Sequence, residues 1–68
     1  MFNEYDVVYS KENINEKISV NTKGVIVMVL DEYSGIYEVE FVDNNNQTID
    51  VTEATTHQLK SSYKAVFN

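Results

Sequence analysis

The sequence predicts an all-β fold, a small barrel of five strands, and three observations support that prediction. Short apolar runs rich in β-branched residues recur along the chain, as in half-buried strands. Turn-forming residues separate these runs at positions 33–35 and 43–46. A chain of 68 residues has room for one domain, which we take as residues 1–68, whereas a β-sandwich needs more chain.

The first four strands are predicted from their hydrophobic patterns. We place the first at residues 6–9 and the second at residues 25–30, which form the strongest apolar run. The third, residues 36–42, alternates so that Tyr37, Val39 and Phe41 point inward while two glutamates point outward. The fourth is predicted at residues 48–51, with Ile49 and Val51 facing the core.

The remaining segments are read from weaker patterns. Residues 10–22 are polar apart from isolated apolar positions, and Ile14 and Ile18 have the spacing of a helical turn. We favour a long loop whose isoleucines close the end of the barrel. Residues 54–58 are expected to form one 3₁₀ turn, after which Leu59 is the inward residue of a fifth strand. Five short strands with one long early loop are typical of an SH3-like barrel.

The composition excludes several kinds of site. The chain has no cysteine and one histidine, His57, so a zinc site built from Cys and His ligands is excluded. We predict no cofactor and no metal. The first residues show neither a basic nor an apolar leader, and the run at 25–30 is far shorter than the ~20 residues that span a bilayer. We therefore expect a soluble, cytoplasmic protein.

Charge is concentrated in the middle of the chain. The net charge is −6, from eleven acids and five lysines. Residues 24–59 contain seven of those acids and no lysine or arginine. Phosphate backbones are bound through Lys and Arg, so nucleic acid is disfavoured as a partner. A basic protein surface is favoured instead, because opposite charge speeds encounter.

Four segments together resemble a known family. They are Phe2-x-Glu4-x-Asp6-Val7-Val8, Gly24-Val25-Ile26-Val27-x-Val29, Tyr37-Glu38-Val39-Glu40-Phe41-Val42-Asp43 and the stretch from Thr52 to Gln58-Leu59, and their order spans almost the whole chain. The sequence resembles the small bacterial domain-of-unknown-function family number 4926, which is similar in fold to KOW and SH3-like barrels. The resemblance implies no catalytic residue. It does imply a role beside small toxin-like or nuclease-like proteins, as an immunity protein or antitoxin.

Three groups of residues are candidates for reactive sites. Glu38 and Glu40 are two residues apart on one strand face, which puts their carboxylates roughly 7 Å apart. Glycosidases use such pairs, but they need a cleft that an outer strand face does not offer. Residues 43–46 with Asp50 offer oxygen ligands without the spacing of a calcium loop. His57 has no nucleophile motif near it, so we predict that the chain is not an enzyme.

The sequence therefore predicts a protein-binding module. The candidate partner-binding residues are Glu38, Glu40, Asp43, Asp50, Tyr33, Tyr63 and Met28. Our first hypothesis is an acidic immunity protein or antitoxin that occludes a basic, nuclease-like toxin. The alternatives are a KOW-like nucleic-acid or ribosome-associated module, which would use Lys11, Lys17 and Lys23, and an accessory scaffold domain. Self-association by strand pairing is a further use of the apolar second strand.

Overall fold

Residues 1–61 form five β-strands and one 3₁₀ helix. We describe the fold from a computed structural model, and the structure describes residues 1–61. None of these residues is in an α-helix, and none belongs to a helix long and apolar enough to cross a membrane. The elements are β1 (Val7–Ser10), β2 (Lys23–Asp31), β3 (Ile36–Val42), β4 (Thr48–Thr55), the 3₁₀ helix (Thr56–Gln58) and β5 (Leu59–Ser61).

All five strands belong to one antiparallel sheet, in the order β4-β3-β2-β1-β5. Consecutive strands pair with one another except at the end of the chain, where β5 returns to lie beside β1 and pairs Lys60 with Tyr9. The prediction of an all-β, five-stranded fold is confirmed. The strand order is consistent with a small barrel, while membership of the SH3-like class stays a prediction.

The core lies on one face of the sheet and receives residues from every strand. Its buried members are Val8, Ile18, Ile26, Tyr37, Val39, Phe41, Ala54 and Leu59. The alternation predicted for β3 is confirmed, because Tyr37, Val39 and Phe41 are fully buried. Gly24 belongs to this packing, since a Cβ there would lie 2.7 Å from Val39 Cγ1.

Strand β2 contains two irregularities that determine which side chains of its long apolar run are buried. Its pairing with β3 shifts by one residue between Ile26 and Met28, and again between Val29 and Asp31. A bulge leaves an extra residue in one strand and bends it. As a result Ile26 is buried and Val29 packs against the core, while Val27, Met28 and Leu30 are exposed.

Strand β4 differs from the prediction in length and in register. It continues to Thr55, so only Thr56–Gln58 form the expected 3₁₀ turn. Ile49 packs against the core as predicted, but the inward placement of Val51 was wrong, since its side chain is 46% exposed. The pairing with β3 shifts beside Ile49, and a shift of one residue moves the following side chains to the other face.

The segment between β1 and β2 is a loop, as we favoured. Ile18 is fully buried and Ile14 packs against the core from this loop, without a helical turn. Ser10 fixes it, because its buried hydroxyl donates to the Ser19 carbonyl at 2.7 Å and accepts from the Thr22 N–H at 2.9 Å. Both hydrogen bonds join β1 to the end of the loop.

Candidate protein-binding surface

The outer face of β3 carries the two glutamates that the sequence singled out. Glu38 lies between Met28 of β2 and Glu53 of β4 in the pairing register. Glu40 lies between Val25 of β2 and Val51 of β4. Side chains of directly paired residues share a face, with their Cβ atoms about 5 Å apart. The outer face therefore has one mainly acidic row and, next to it, one mainly apolar row.

Glu53 is the residue that sequence reasoning did not select. It directly faces Glu38, and like charges placed opposite one another are destabilising. No cation within residues 1–61 forms an ion pair with either carboxylate. Glu53 could have been found from its position in the inward–outward alternation of β4. That alternation assigns Glu53 to the outer face only when the bulge at Ile49 is known.

Glu40 is held by a neighbour, because the Thr48 hydroxyl donates a hydrogen bond to its carboxylate. Thr48 begins β4 and pairs with Val42 at the end of β3. The bond orients Glu40 on the face without removing its charge. Glu38, by contrast, has no hydrogen bond from any residue of the described part of the chain.

Asp43 and Asp50 are engaged away from the glutamates. Asp43 Oδ1 accepts the backbone N–H of Asn45 at 2.8 Å and that of Gln47 at 3.0 Å, which stabilises the β3–β4 turn. Asp50 pairs with Phe41, so it belongs to the core-facing side of the β4 edge. Its carboxylate accepts from the Asn15 amide of the β1–β2 loop at 3.2 Å. The structure thus gathers Glu38, Glu40 and Glu53, and leaves these two aspartates outside that group.

The apolar candidates divide between the outer face and a turn. Met28 is 48% exposed and pairs with Glu38, so it borders the acidic row. Tyr33 is fully exposed in the β2–β3 turn, where its backbone N–H donates to Asp31 Oδ1 at 3.0 Å. The turn reverses at Gly35, whose φ of 69° is the left-handed value that glycine adopts without strain. Tyr63 lies outside the described residues.

The opposite end of the outer face is basic. Tyr9 pairs with Lys23 on one side and with Lys60 on the other. Lys23 Nζ donates to Asn46 Oδ1 at 3.4 Å, and both residues line a groove with a volume of ≈ 440 Å³. The other two lysines of the nucleic-acid alternative, Lys11 and Lys17, are exposed in the β1–β2 loop. The face is therefore polarised, with lysines at one end and glutamates at the other.

The three candidate reactive sites lie on open or exposed parts of the structure. Neither Glu38 nor Glu40 lines the groove beside Lys23, and both project from an open sheet face. His57 is exposed within the 3₁₀ helix. Within residues 1–61, no three His, Cys, Asp or Glu side chains are grouped so that they could hold a metal ion. What the site offers chemically is negative charge, beside apolar side chains, that no cation within residues 1–61 neutralises.

A model for one known family matches residues 4–61, and its description is a domain of unknown function, DUF4926. The chain belongs to the DUF4926 family. The resemblance inferred from the sequence is thereby confirmed over nearly the whole chain. No curated protein and no solved structure matches the chain. The description of DUF4926 states no activity.

Proposed function

We propose that the chain is an acidic protein-binding module that neutralises a basic, nuclease-like partner, as an immunity protein or antitoxin would. One observation carries this proposal most directly. Glu38 and Glu53 face one another on an exposed sheet, and no cation within the described residues neutralises them. A surface that retains such a pair gains when a partner supplies the missing positive charge.

The energetics favour a lysine or arginine placed between the two glutamates. In the free protein their repulsion costs stability, on the order of a few tenths of a kcal/mol. A partner cation near both carboxylates removes that cost and adds charge-assisted hydrogen bonds. Arginine suits this position best, because its planar guanidinium can bond two carboxylates at once.

Apolar side chains beside the glutamates supply the rest of a binding surface. Val51, Met28 and Val7 are each more than a third exposed, and the register places all three on the outer face. Charged residues around an apolar centre are the usual composition of a protein interface. Burial of these side chains favours association, while the glutamates select a basic partner and steer it in.

The mechanism we propose is occlusion. A nuclease binds phosphates with Lys and Arg, and the carboxylates of Glu38, Glu40 and Glu53 would take the places of those phosphates. Asp43, in the β3–β4 turn beside Lys23, and Asp50, on the core-facing side of β4, lie outside this contact and add only to the long-range field of the chain. Tyr33 is available as an exposed contact at the adjoining turn.

Affinity capture from the native host tests the proposal with three baits. The first is the unaltered chain, the second carries Glu38→Lys with Glu40→Lys, and the third is a matched control with Glu4→Lys and Glu16→Lys. Both double variants change the net charge equally, and Glu4 and Glu16 are exposed residues outside the sheet. Thermal unfolding of each bait establishes that it is folded before use.

We expect the unaltered and control baits to retain the same basic protein, and the Glu38/Glu40 bait to lose it at least tenfold. Equal recovery on all three baits would show that the acidic face is not the contact surface. Recovery of RNA instead of a basic protein would replace this function with the nucleic-acid alternative.

A further inference from the structure

Within residues 1–61, strand β4 forms an open edge of the sheet. It is terminal in the order β4-β3-β2-β1-β5, and among these residues it pairs only with β3. Its eight residues, Thr48–Thr55, include neither proline nor lysine, the residues that proteins commonly place on an edge to prevent further strand pairing. An edge of this kind presents unpaired backbone N–H and C=O groups to another strand.

Two hydrogen bonds fix which backbone groups of β4 face outward. The N–H of Thr56 donates to the Gly35 carbonyl at 2.9 Å, which continues the β3–β4 ladder by one pair. Ladder pairs alternate along an antiparallel strand, so Ala54 and Thr52 also bond toward β3. The N–H of Thr55 points the other way, since it donates to Gln58 Oε1 at 3.0 Å.

The same alternation leaves Val51 and Glu53 with outward backbone groups. The Gln58 side chain accepts a hydrogen bond from the outward N–H of Thr55. No residue within 1–61 forms such a bond with the outward backbone groups of Val51 or Glu53. Their side chains lie on the outer face, where Val51 is 46% exposed and Glu53 faces Glu38. The free edge thus coincides with the border of the acidic face.

The negative charge of this edge favours a basic strand from another protein over a second copy of the chain. A second copy of the chain, added through its own β4, would bring Asp50 and Glu53 against the same acids. Like charges on neighbouring strands are destabilising, so self-pairing is disfavoured. A strand with lysine or arginine at alternate positions would place those side chains on the outer face, beside Glu53 and Glu38.

We propose that β4 receives an extended basic segment of the partner by strand addition, centred on the outward backbone groups of Val51 and Glu53. This inference rests on the proposed function and specifies how the partner binds. Main-chain hydrogen bonds supply the affinity, as in other strand-addition complexes, and alternate side chains supply the selectivity. The segment needs only a few residues in extended form, because the free edge between Ile49 and Thr55 is short.

The test uses a capped peptide of about ten residues in which lysine alternates with valine, so that both residue types occur equally often. Two matched versions carry backbone N-methyl groups, one on every lysine and the other on every valine. They have equal charge and side-chain composition, but each blocks the N–H groups of one edge only. Binding is measured by fluorescence anisotropy, and amide hydrogen exchange of the unaltered chain is followed by NMR.

We expect one N-methylated version to bind at least tenfold more weakly than the other. We also expect the amides of Val51 and Glu53 to exchange at least tenfold more slowly with the unmodified peptide. Equal binding of both methylated versions, without protection of these amides, would overturn strand addition and leave an acidic, charge-driven binding face. The same holds if no peptide binds while capture from the host recovers a basic protein.

Failure of peptide binding and failure of capture together would remove the proposed function as well. Protection of Val51 and Glu53 that rises with protein concentration, in the absence of peptide, would identify a second copy as the occupant and overturn the proposal.

Discussion

Glu38 and Glu53 lie directly opposite one another on β3 and β4, and their side chains share the outer face of the sheet. Cross-strand neighbours contribute to sheet stability when they attract and reduce it when they repel. This pair therefore weakens the isolated fold at the place where we propose that a partner binds. Stability and binding should respond in opposite directions when the pair is changed.

Substitution Glu53→Gln should stabilise the fold by roughly 0.2–1 kcal/mol at low ionic strength, because it removes the repulsion from Glu38. Urea denaturation measures the change. In 1 M salt the Debye length falls to about 3 Å, so the gain should shrink. The control is Glu16→Gln in the exposed loop, which alters the net charge equally and should change the unfolding free energy less. Equal effects of both substitutions would mean that general charge, and not this pair, sets the stability.

Gly24→Ala should destabilise the protein by about 1–3 kcal/mol through overpacking. An added Cβ would meet Val39 Cγ1 at 2.7 Å and Phe41 Cδ1 at 2.9 Å, and both belong to the buried core. Thermal unfolding checks this. The neighbouring substitution Lys23→Ala, on the outer face, should stay within about 0.5 kcal/mol of the unaltered protein. A neutral Gly24→Ala would show that the β2–β3 contact has room to adjust.

Tyr37→Phe should cost roughly 0.5–1.5 kcal/mol of unfolding free energy. The buried Tyr37 hydroxyl accepts from the Phe2 N–H at 3.2 Å and lies 3.3 Å from Thr56 Oγ1, so it joins the N-terminal segment to the 3₁₀ helix. The edge-to-face contact between the Phe2 and Tyr37 rings remains in the variant. Tyr33→Phe is the matched control, because Tyr33 is fully exposed and should show no measurable cost. Similar losses in both variants would contradict the role of the buried hydroxyl.

Ser10→Ala should destabilise the chain by about 1–3 kcal/mol, because it leaves the Thr22 N–H without its acceptor. The loop end that Ser10 fixes should also open more readily. Hydrogen exchange at Thr22 measures that opening, and the control amide is Val39 in β3, which should change only with global stability. Unchanged exchange at Thr22 would show that the loop is held by its apolar contacts alone.

Much of the fold follows from the sequence, because the strongest patterns are local. The alternation in β3 puts Tyr37, Val39 and Phe41 inside. The turn at Gly35 follows from residue type, because glycine readily adopts the left-handed φ that is found there. The packing of Ile14 and Ile18 also follows, because these isoleucines were expected to close the end of the barrel, whereas Val20 of the same loop is 47% exposed. These features depend on residue type and periodicity within a short segment.

The candidate site could be predicted only in part, because its composition depends on register. A single extra residue at Ile49 turns Val51 outward and sets Glu53 against Glu38. No local pattern marks that bulge, since Thr48 to Thr55 mixes polar and β-branched residues at both parities. The engagement of Asp50 by Asn15 is likewise a contact between distant segments, which one-dimensional spacing does not encode.

The most direct test of occlusion is a competition titration with the basic protein captured from the host. The unaltered chain is titrated into that protein at increasing concentrations of a nucleic-acid oligonucleotide, with the Glu38→Lys/Glu40→Lys variant measured in parallel. We predict that the apparent Kd of the chain rises in proportion to the oligonucleotide, and that the variant binds at least tenfold more weakly. A ternary complex with unchanged affinity, or full binding by the variant, would contradict the account.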